Sequence, residues 1–385
     1  MSGRRVVLVA TQLARRAPGG IGTYCLGLVA GLQACRAGGQ KTPPVELLTA
    51  GRGGTGGWGG TPGPTVGDAD RWLSHGRLPW PPALVTRAWD RGRCPVGDDR
   101  SLVHATSLAV PAHRGGPLVV TVHDLLWRVV PAAFPATGRR WHEAALARAL
   151  RRADHLVAPS SATADALVQA GAEAARVTVI EHGSDHLPPA DHGAADTLLT
   201  SLGVARPFVL SVGTREPRKN LDRLVLSWRR ACALLGDPLD LVVVGPRGWG
   251  VDGLEAPPEP PGGTAPGSSG AGVLVATGPV APAVLAALYE RAALVAYVPL
   301  AEGYGLPPVE AMRAGTPVVS SPMPSVGDAA VVVDPTDVQA IARAMVGVVT
   351  DAEQRRQLIE RGRQRASRCW RDAAADHLAL WERVG

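Results

Sequence analysis

Lysine, asparagine and aromatic side chains are nearly missing from this sequence. It has two lysines, Lys41 and Lys219, and a single asparagine, Asn220. Phenylalanine occurs twice, and aromatics make up 4% of 385 residues, with tryptophan outnumbering phenylalanine and tyrosine together. Cores must therefore be built from alanine, valine and leucine, and the basic–aromatic interleaving of a nucleic-acid binder is absent. Cys25, Cys35, Cys94, Cys232 and Cys369 are odd in number and far apart. That pattern excludes a disulfide framework, argues against a zinc site, and predicts reduced thiols in a cytoplasmic protein. No apolar run approaches the ~20 residues needed to span a bilayer. Arg4 and Arg5 precede only a short apolar strand, less than the core of a signal peptide requires. No Asp-x-Asp pair stands in a metal-binding context, and Asp98-Asp99 reads as a solvated turn.

What remains is a globular balance, with 45% apolar and 19% charged residues and an arginine-rich net charge of +6 that favours anionic ligands. The length suits two domains, each with its own core. Short apolar strands are expected at Arg5–Ala10, Val45–Leu48, Leu102–His104, Leu118–Val122, His155–Ala158 and Val177–Ile180. Helical stretches lie between several of them, including Tyr24–Leu32, and this alternation predicts a parallel sheet covered on both faces. A second series runs through Phe208–Val212, Leu239–Val244, Val273–Ala276, Ala293–Tyr297 and Val318–Val319. The predicted architecture is α/β, two Rossmann-like lobes facing a cleft. Residues 1–186 form the first lobe and 203–369 the second, with a linker at 187–202, where the rhythm lapses at Pro188-Pro189. The Gly/Pro-rich segments 51–67 and 251–272 are too poor in apolar side chains to hold one conformation. A long final helix from Glu353 to Val384 is expected to break near Ser367-Arg-Cys.

Two strand–loop–helix junctions carry the chemistry. Residues 302–319 begin Glu-Gly-Tyr-Gly-Leu-Pro-Pro-Val-Glu and follow an apolar strand. Gly303 and Gly305 let the backbone approach a ligand, Pro307 and Pro308 open a helix, and Gly315 closes it. Glu302 then lies on the loop and Glu310 in the first helical turn, beside free N–H groups suited to an anion. The second junction, Gly213-Thr-Arg-Glu-Pro-Arg-Lys-Asn220, joins the strand from Phe208 to an apolar-periodic helix, Leu221–Leu235. Asn220 reads as that helix's cap, accepting from a free N–H. Lys219 has no such structural job. At a βα junction, an ammonium beside the Arg218 guanidinium suits a diphosphate.

These stretches resemble the retaining glycosyltransferases of family 4. Glu302-Gly-Tyr-Gly-Leu-Pro-Pro-Val-Glu310 is similar to their E-x7-E signature, and Gly213–Asn220 looks like a bacterial mannosyltransferase-like branch. Val244–Gly250, Leu288–Ala292, Trp370–Trp381, Gly19–Tyr24 and Val122-His123-Asp124 are similar to the same branch. The resemblance implies the GT-B type fold, with the last helix, about 370–385, packing back on the first lobe. It implies a catalytic set of Glu302, Lys219, Arg218 and His123, with Glu302 on the transferred sugar's hydroxyls and Glu310 on the ribose. It groups Gly20, Gly22, Gly213, Arg215, Gly303, Tyr304, Gly305 and Leu306 with Glu310 in donor binding, and leaves His104 as a supporting candidate. No metal and no separate cofactor are expected, because fixed cations would carry the leaving diphosphate.

Three positions depart from the family pattern. Thr214 stands where an arginine is common, so Arg215 or Arg218 must supply that charge. His182-Gly183 replaces Asn-Gly at the hinge, and Leu300 replaces a serine before Glu302. Arg139, Arg140, Arg148, Arg151 and Arg152, on a helix from about 137 to 153, could give a basic face for an anionic acceptor or for peripheral contact with the inner face of the membrane. The sequence therefore reads as a metal-independent retaining glycosyltransferase using a nucleotide sugar, with GDP-mannose implied by the branch. The acceptor would be a glycan, glycolipid or secondary metabolite. Alternatives are a nucleotide-sugar epimerase on the same fold and a sugar-nucleotide-binding subunit without activity.

Overall fold

A computed structural model describes residues 4–15, 18–51, 72–249 and 272–385. The two segments expected to be loose lie, apart from Gly51 and Gly272, outside the described residues. The chain divides into two units, Met1–His186 with Arg368–Gly385, and Leu187–Ser367.

The first unit's described strands are β1 (Val6–Val9), β2 (Val45–Ala50), β3 (Leu73–Leu78), β4 (Leu102–Ala105), β5 (Leu118–Thr121), β6 (His155–Ala158) and β7 (Val177–Val179). They form a parallel sheet in the order β3-β2-β1-β4-β5-β6-β7. Strands β1, β4, β5 and β6 are buried along their whole length, as unbroken apolar runs in a doubly covered sheet should be. The sequence gives no sign of β3, because only Leu73 of Leu-Ser-His-Gly-Arg-Leu is buried and the strand lies at the edge.

The N-terminal helix is longer than its apolar period suggests, spanning Gly19–Ala37. Against it packs the last helix, Trp370–Val384, while the preceding Ala352–Arg365 helix belongs to the second unit. The close approach requires glycine. A Cβ on Gly27 would enter the Trp370 indole, and one on Gly31 would meet the Trp370 carbonyl. The break between these helices is stabilised by a capping box, in which the Cys369 N–H donates to Asp372 Oδ2 at 2.9 Å.

A buried polar chain crosses this contact. His377 Nδ1 faces the Ala373 carbonyl at 2.7 Å, so Nδ1 carries the proton and Nε2 must accept. Tyr24 donates its hydroxyl to that nitrogen at 2.8 Å. The Tyr24 oxygen can then accept from Thr121 Oγ1 at 3.0 Å, and Thr121 from His104 Nε2–H at 2.8 Å. His182, which lies four residues before the unit boundary at His186, stacks on Trp370 with ring centroids 5.6 Å apart. Burial pushes His104 and His182 well below the ordinary histidine range and His377 down to about 4.

The second unit's described strands are β8 (Phe208–Val212), β9 (Asp240–Val244), β10 (Leu274–Gly278), β11 (Leu294–Tyr297), β12 (Val318–Ser320) and β13 (Val331–Val332). Their order, β10-β9-β8-β11-β12-β13, repeats the winding of the first sheet. Between β8 and β11 the strand order reverses, which opens a crevice at their carboxyl ends. The expected linker at 187–202 is not an irregular segment. It contains a helix, His192–Ser201, started by Asp191 accepting from the Ala194 N–H at 2.9 Å, and its Ala195 and Leu199 join the second core. Two prolines before Asp191 obscure this helix in the sequence. Among the described residues no helix is long and apolar enough to cross a membrane.

Candidate active site

The loops that leave β8 and β11 meet at that crevice. Leu300 N–H donates to the Arg218 carbonyl at 2.9 Å, joining them through backbone. Three donors then converge on one oxygen, Glu302 Oε2: Lys219 Nζ at 2.6 Å, Tyr297 Oη at 2.7 Å and Arg218 Nη1 at 2.9 Å. None of these bonds uses Oε1, so the carboxylate keeps one acceptor for another group. Arg218 also donates to Glu216 Oε1 at 2.6 Å, and Lys219 Nζ lies 2.5 Å from the Tyr297 hydroxyl. Burial alone would raise the Glu302 pKa, but Lys219 and Arg218 more than offset it and hold the group at about 2. Lys219 is drawn below its usual range by burial, against the pull of Glu302.

This geometry corrects the reading of Lys219 as a residue without a structural role. Its side chain is only 12% exposed and belongs to a largely buried ion-pair network. Asn220 is corrected too. It makes no capping bond and adopts the left-handed conformation, with φ of 58°. Its amide donates to the carbonyls of Val298 at 3.0 Å and Pro335 at 2.7 Å, while Oδ1 accepts from Arg223. Asparagine tolerates this backbone better than most side chains, which gives the single asparagine a physical reason for its place.

Glu310 lies beyond the first turn of its helix, Leu306–Arg313, and is buried rather than displayed at the helix start. Its Oε2 accepts from Tyr289 Oη at 2.6 Å. Gly305 precedes the helix with φ of 97°, where a Cβ would crowd Ser325 Oγ at 2.7 Å, so this loop needs glycine. Gly303, Tyr304 and Leu306 are buried around it. On the other loop, Gly213 has φ of 153° and the Lys219 side chain lies beside it. Arg215 is tied by backbone to Pro246 at 3.0 Å, and its Nε has no hydrogen-bond partner among the described residues. Tyr297 and Glu216 were not singled out by sequence. Their signals were Tyr297's position at a strand end five residues before Glu302, and the scarcity of tyrosine.

In the first unit, His123 follows β5 and donates Nε2–H to the Thr106 carbonyl at 2.9 Å, which leaves Nδ1 as an acceptor. Burial holds it below the usual histidine range. Its ring meets Tyr24 edge-on at 5.0 Å, and Tyr24 is two residues past Gly22 in the helix that begins at Gly19-Gly20. Asp124 does not engage His123 in a hydrogen bond; it accepts from the Leu126 N–H at 3.1 Å. His104 lies in the buried polar chain. The five arginines do not form one face of their helix, Ala136–Arg152. Arg148 pairs with Asp90 and Arg152 donates to the Pro111 carbonyl, while Arg139 and Arg140 line an open cavity of about 670 Å³ with Trp127, Arg128 and Glu143. Asp98 is a turn residue, accepting from Ser101 Oγ at 2.6 Å.

The model for Glycosyltransferase Family 4 matches residues 18–186, and that for Glycosyl transferases group 1 matches residues 206–351. Among curated relatives, the O-antigen chain mannosyltransferase B of Escherichia coli is 29% identical over 268 residues, 68% of each chain. A D-inositol 3-phosphate glycosyltransferase of Salinispora tropica is 31% identical over 296 residues, 69% of this chain and 59% of that protein. Among solved structures, sucrose-phosphate synthase from Thermosynechococcus elongatus has a TM-score of 0.70 at 18% identity, covering 99% of this chain and 98% of that one. Anabaena HepE, solved with UDP and glucose, has a TM-score of 0.65 at 18% identity, covering 99% of this chain and 100% of that one. Both structures share the fold of two parallel-sheet, Rossmann-like units. With its two halves matched in chain order, this chain is a glycosyltransferase of the GT-B type and belongs to glycosyltransferase family 4.

Proposed function

We propose that this enzyme moves a hexose from a nucleoside diphosphate sugar to a glycan, glycolipid or secondary-metabolite acceptor, with retention of anomeric configuration and without a metal. The observation that carries this reading is the meeting of Arg218, Lys219 and Glu302 at the carboxyl ends of β8 and β11. Loss of a nucleoside diphosphate builds negative charge on the leaving group. Fixed cations beside it stabilise the transition state more than the ground state. Lys219 and Arg218 are the candidates, and Arg215, with Nε unpartnered, is a third cation on the same loop. The Gly305 and Leu306 N–H groups, where no side chain caps the helix, would add to them; Pro307 and Pro308, which follow, have none.

Glu302 Oε1 would accept from a hydroxyl of the transferred sugar and Glu310 from the ribose. In the first unit, His123 Nδ1 would accept from the sugar or acceptor, and the exposed backbone at Gly20 would admit the ligand. Gly22, by contrast, is closed off, its N–H bonded to the Pro18 carbonyl and its open side filled by Pro18. GDP-mannose is the donor we favour, since several relatives carry mannosyltransferase names. Activity should persist in EDTA, and the NMR coupling of the product's anomeric proton should match that of the donor. Loss of activity in EDTA with recovery on adding magnesium or manganese would overturn the metal-free site, and an inverted product would overturn retention. Epimerised free sugar without acceptor incorporation would replace transfer by epimerisation.

A further inference from the structure

The chain has four tyrosines, and the hydroxyls of two of them end on the two glutamates of one nine-residue motif. Tyr297 is the last residue of β11 and Tyr289 lies in the helix Pro282–Arg291 that leads into that strand. Both rings are buried. A packing role alone would be met by a leucine or phenylalanine. The hydroxyl adds a donor at one fixed point, and in each case a single carboxylate oxygen receives it.

The consequences differ at the two sites. Tyr297 donates to Glu302 Oε2 and accepts from Lys219 Nζ, whose charge also lies 4.9 Å from the ring centroid. Lysine, tyrosine and carboxylate thus form a closed triangle, and fixing Oε2 fixes the direction of Oε1. Tyr289 is itself held, since Thr316 Oγ1 donates to its backbone carbonyl at 2.5 Å. Its hydroxyl sets Glu310 Oε2 at 2.6 Å. Burial, then the adjacent carboxylate, pushes both phenols well above their ordinary range, so both remain donors.

We infer that Tyr297 and Tyr289 are positioning residues that divide donor recognition between them. Tyr297 aims Glu302 and Lys219 at the sugar and its diphosphate, and Tyr289 aims Glu310 at the ribose. This rests on the nucleotide-sugar reading above.

Tyr→Phe substitutions keep each ring and remove only the aiming hydroxyl. With Tyr297→Phe, kcat is expected to fall about 10- to 100-fold, the range of one hydrogen bond to a charged group, with a smaller change in KM. With Tyr289→Phe, the effect should fall on binding. Calorimetric affinity for GDP, or for UDP should the wild type take that instead, is expected to drop about tenfold. The 2′,3′-dideoxy form of the same nucleotide should bind wild type and Tyr289→Phe equally, because it lacks the hydroxyls Glu310 would hold. Titration stoichiometry counts only folded protein, so partial unfolding cannot imitate these shifts. Glu302→Gln and Glu310→Gln test the underlying reading: if both transfer and bind normally, that reading fails and this inference with it. Should they lose function while the phenylalanine variants keep wild-type kinetics, or should Tyr289→Phe weaken both nucleotides equally, positioning by tyrosine is overturned and the site assignment stands.

Discussion

Lys219→Ala is expected to lower turnover by about 10²–10³, the loss found when one charge-stabilising donor is removed from a preorganised site. The structure adds a second effect. An exposed lysine at a loop would cost less than ~0.5 kcal/mol on removal, but Lys219 lies within 2.6 Å of Glu302 in a largely buried network. Its loss leaves that carboxylate to Arg218 and Tyr297, one donor short. A bond between charged groups contributes about 1.5–3 kcal/mol, and the surviving Arg218 pair places the expected cost toward the lower end. The unliganded melting temperature should therefore fall measurably, and kinetics must be taken well below it. Lys219→Arg should recover part of both, since a planar guanidinium keeps the charge but not the position of the ammonium. Near-normal turnover in folded Lys219→Ala would move the diphosphate site elsewhere. An unchanged melting temperature would show that the Lys219–Glu302 pair contributes nothing in solution.

Lys219 also marks how far the sequence could be read. Strand positions in both sheets were legible because buried parallel strands are unbroken apolar runs, as at β1 and β5. The glycine–proline punctuation around Glu302 located a loop and a helix start at Leu306. Edge strand β3 was not legible, since a polar edge carries no such run, and His192–Ser201 was hidden behind prolines. At the site, residue types pointed to the meeting of cation and carboxylate, but not to its closeness. A carboxylate 83 residues away from Lys219 neutralises it without ligand, a long-range pairing that no local pattern encodes. Likewise the partners of Asn220 come from Val298 and Pro335, so its local reading as a cap failed.

Acid should weaken the first unit before the second. His377 has no exposed surface, and burial holds it at about 4 against an ordinary 6.5. An unfolded chain takes up a proton below pH 6.5 that the folded chain refuses. Stability from this group is therefore complete above 6.5 and is lost as pH falls toward 4, by about 1.4 kcal/mol per unit or roughly 3 kcal/mol in all. Protonation would also put a second donor against the Tyr24 hydroxyl and reverse the proton order running through Thr121 to His104. His104, His123 and His182 are shifted downward too, and all lie in the first unit. In the second unit the groups shifted in the acid range are the carboxyls of Glu302, lowered from 4.5 to about 2, and Asp334, also lowered, so their contributions persist above 4.5 and fade only below. Between pH 6.5 and 4.5, peptide-level hydrogen exchange, corrected for intrinsic rates, should show protection falling in the two helices Gly19–Ala37 and Trp370–Val384 while β8 and β11 hold. His377→Leu should be less stable at pH 7, with the Tyr24 hydroxyl left to Thr121 alone, yet its stability should fall less steeply over this window, by up to about 1.4 kcal/mol per unit. Full protection of the first unit at pH 4.5, or an unchanged slope in His377→Leu, would mean that the histidines are not held neutral by burial and that the C-terminal helix docks by packing alone.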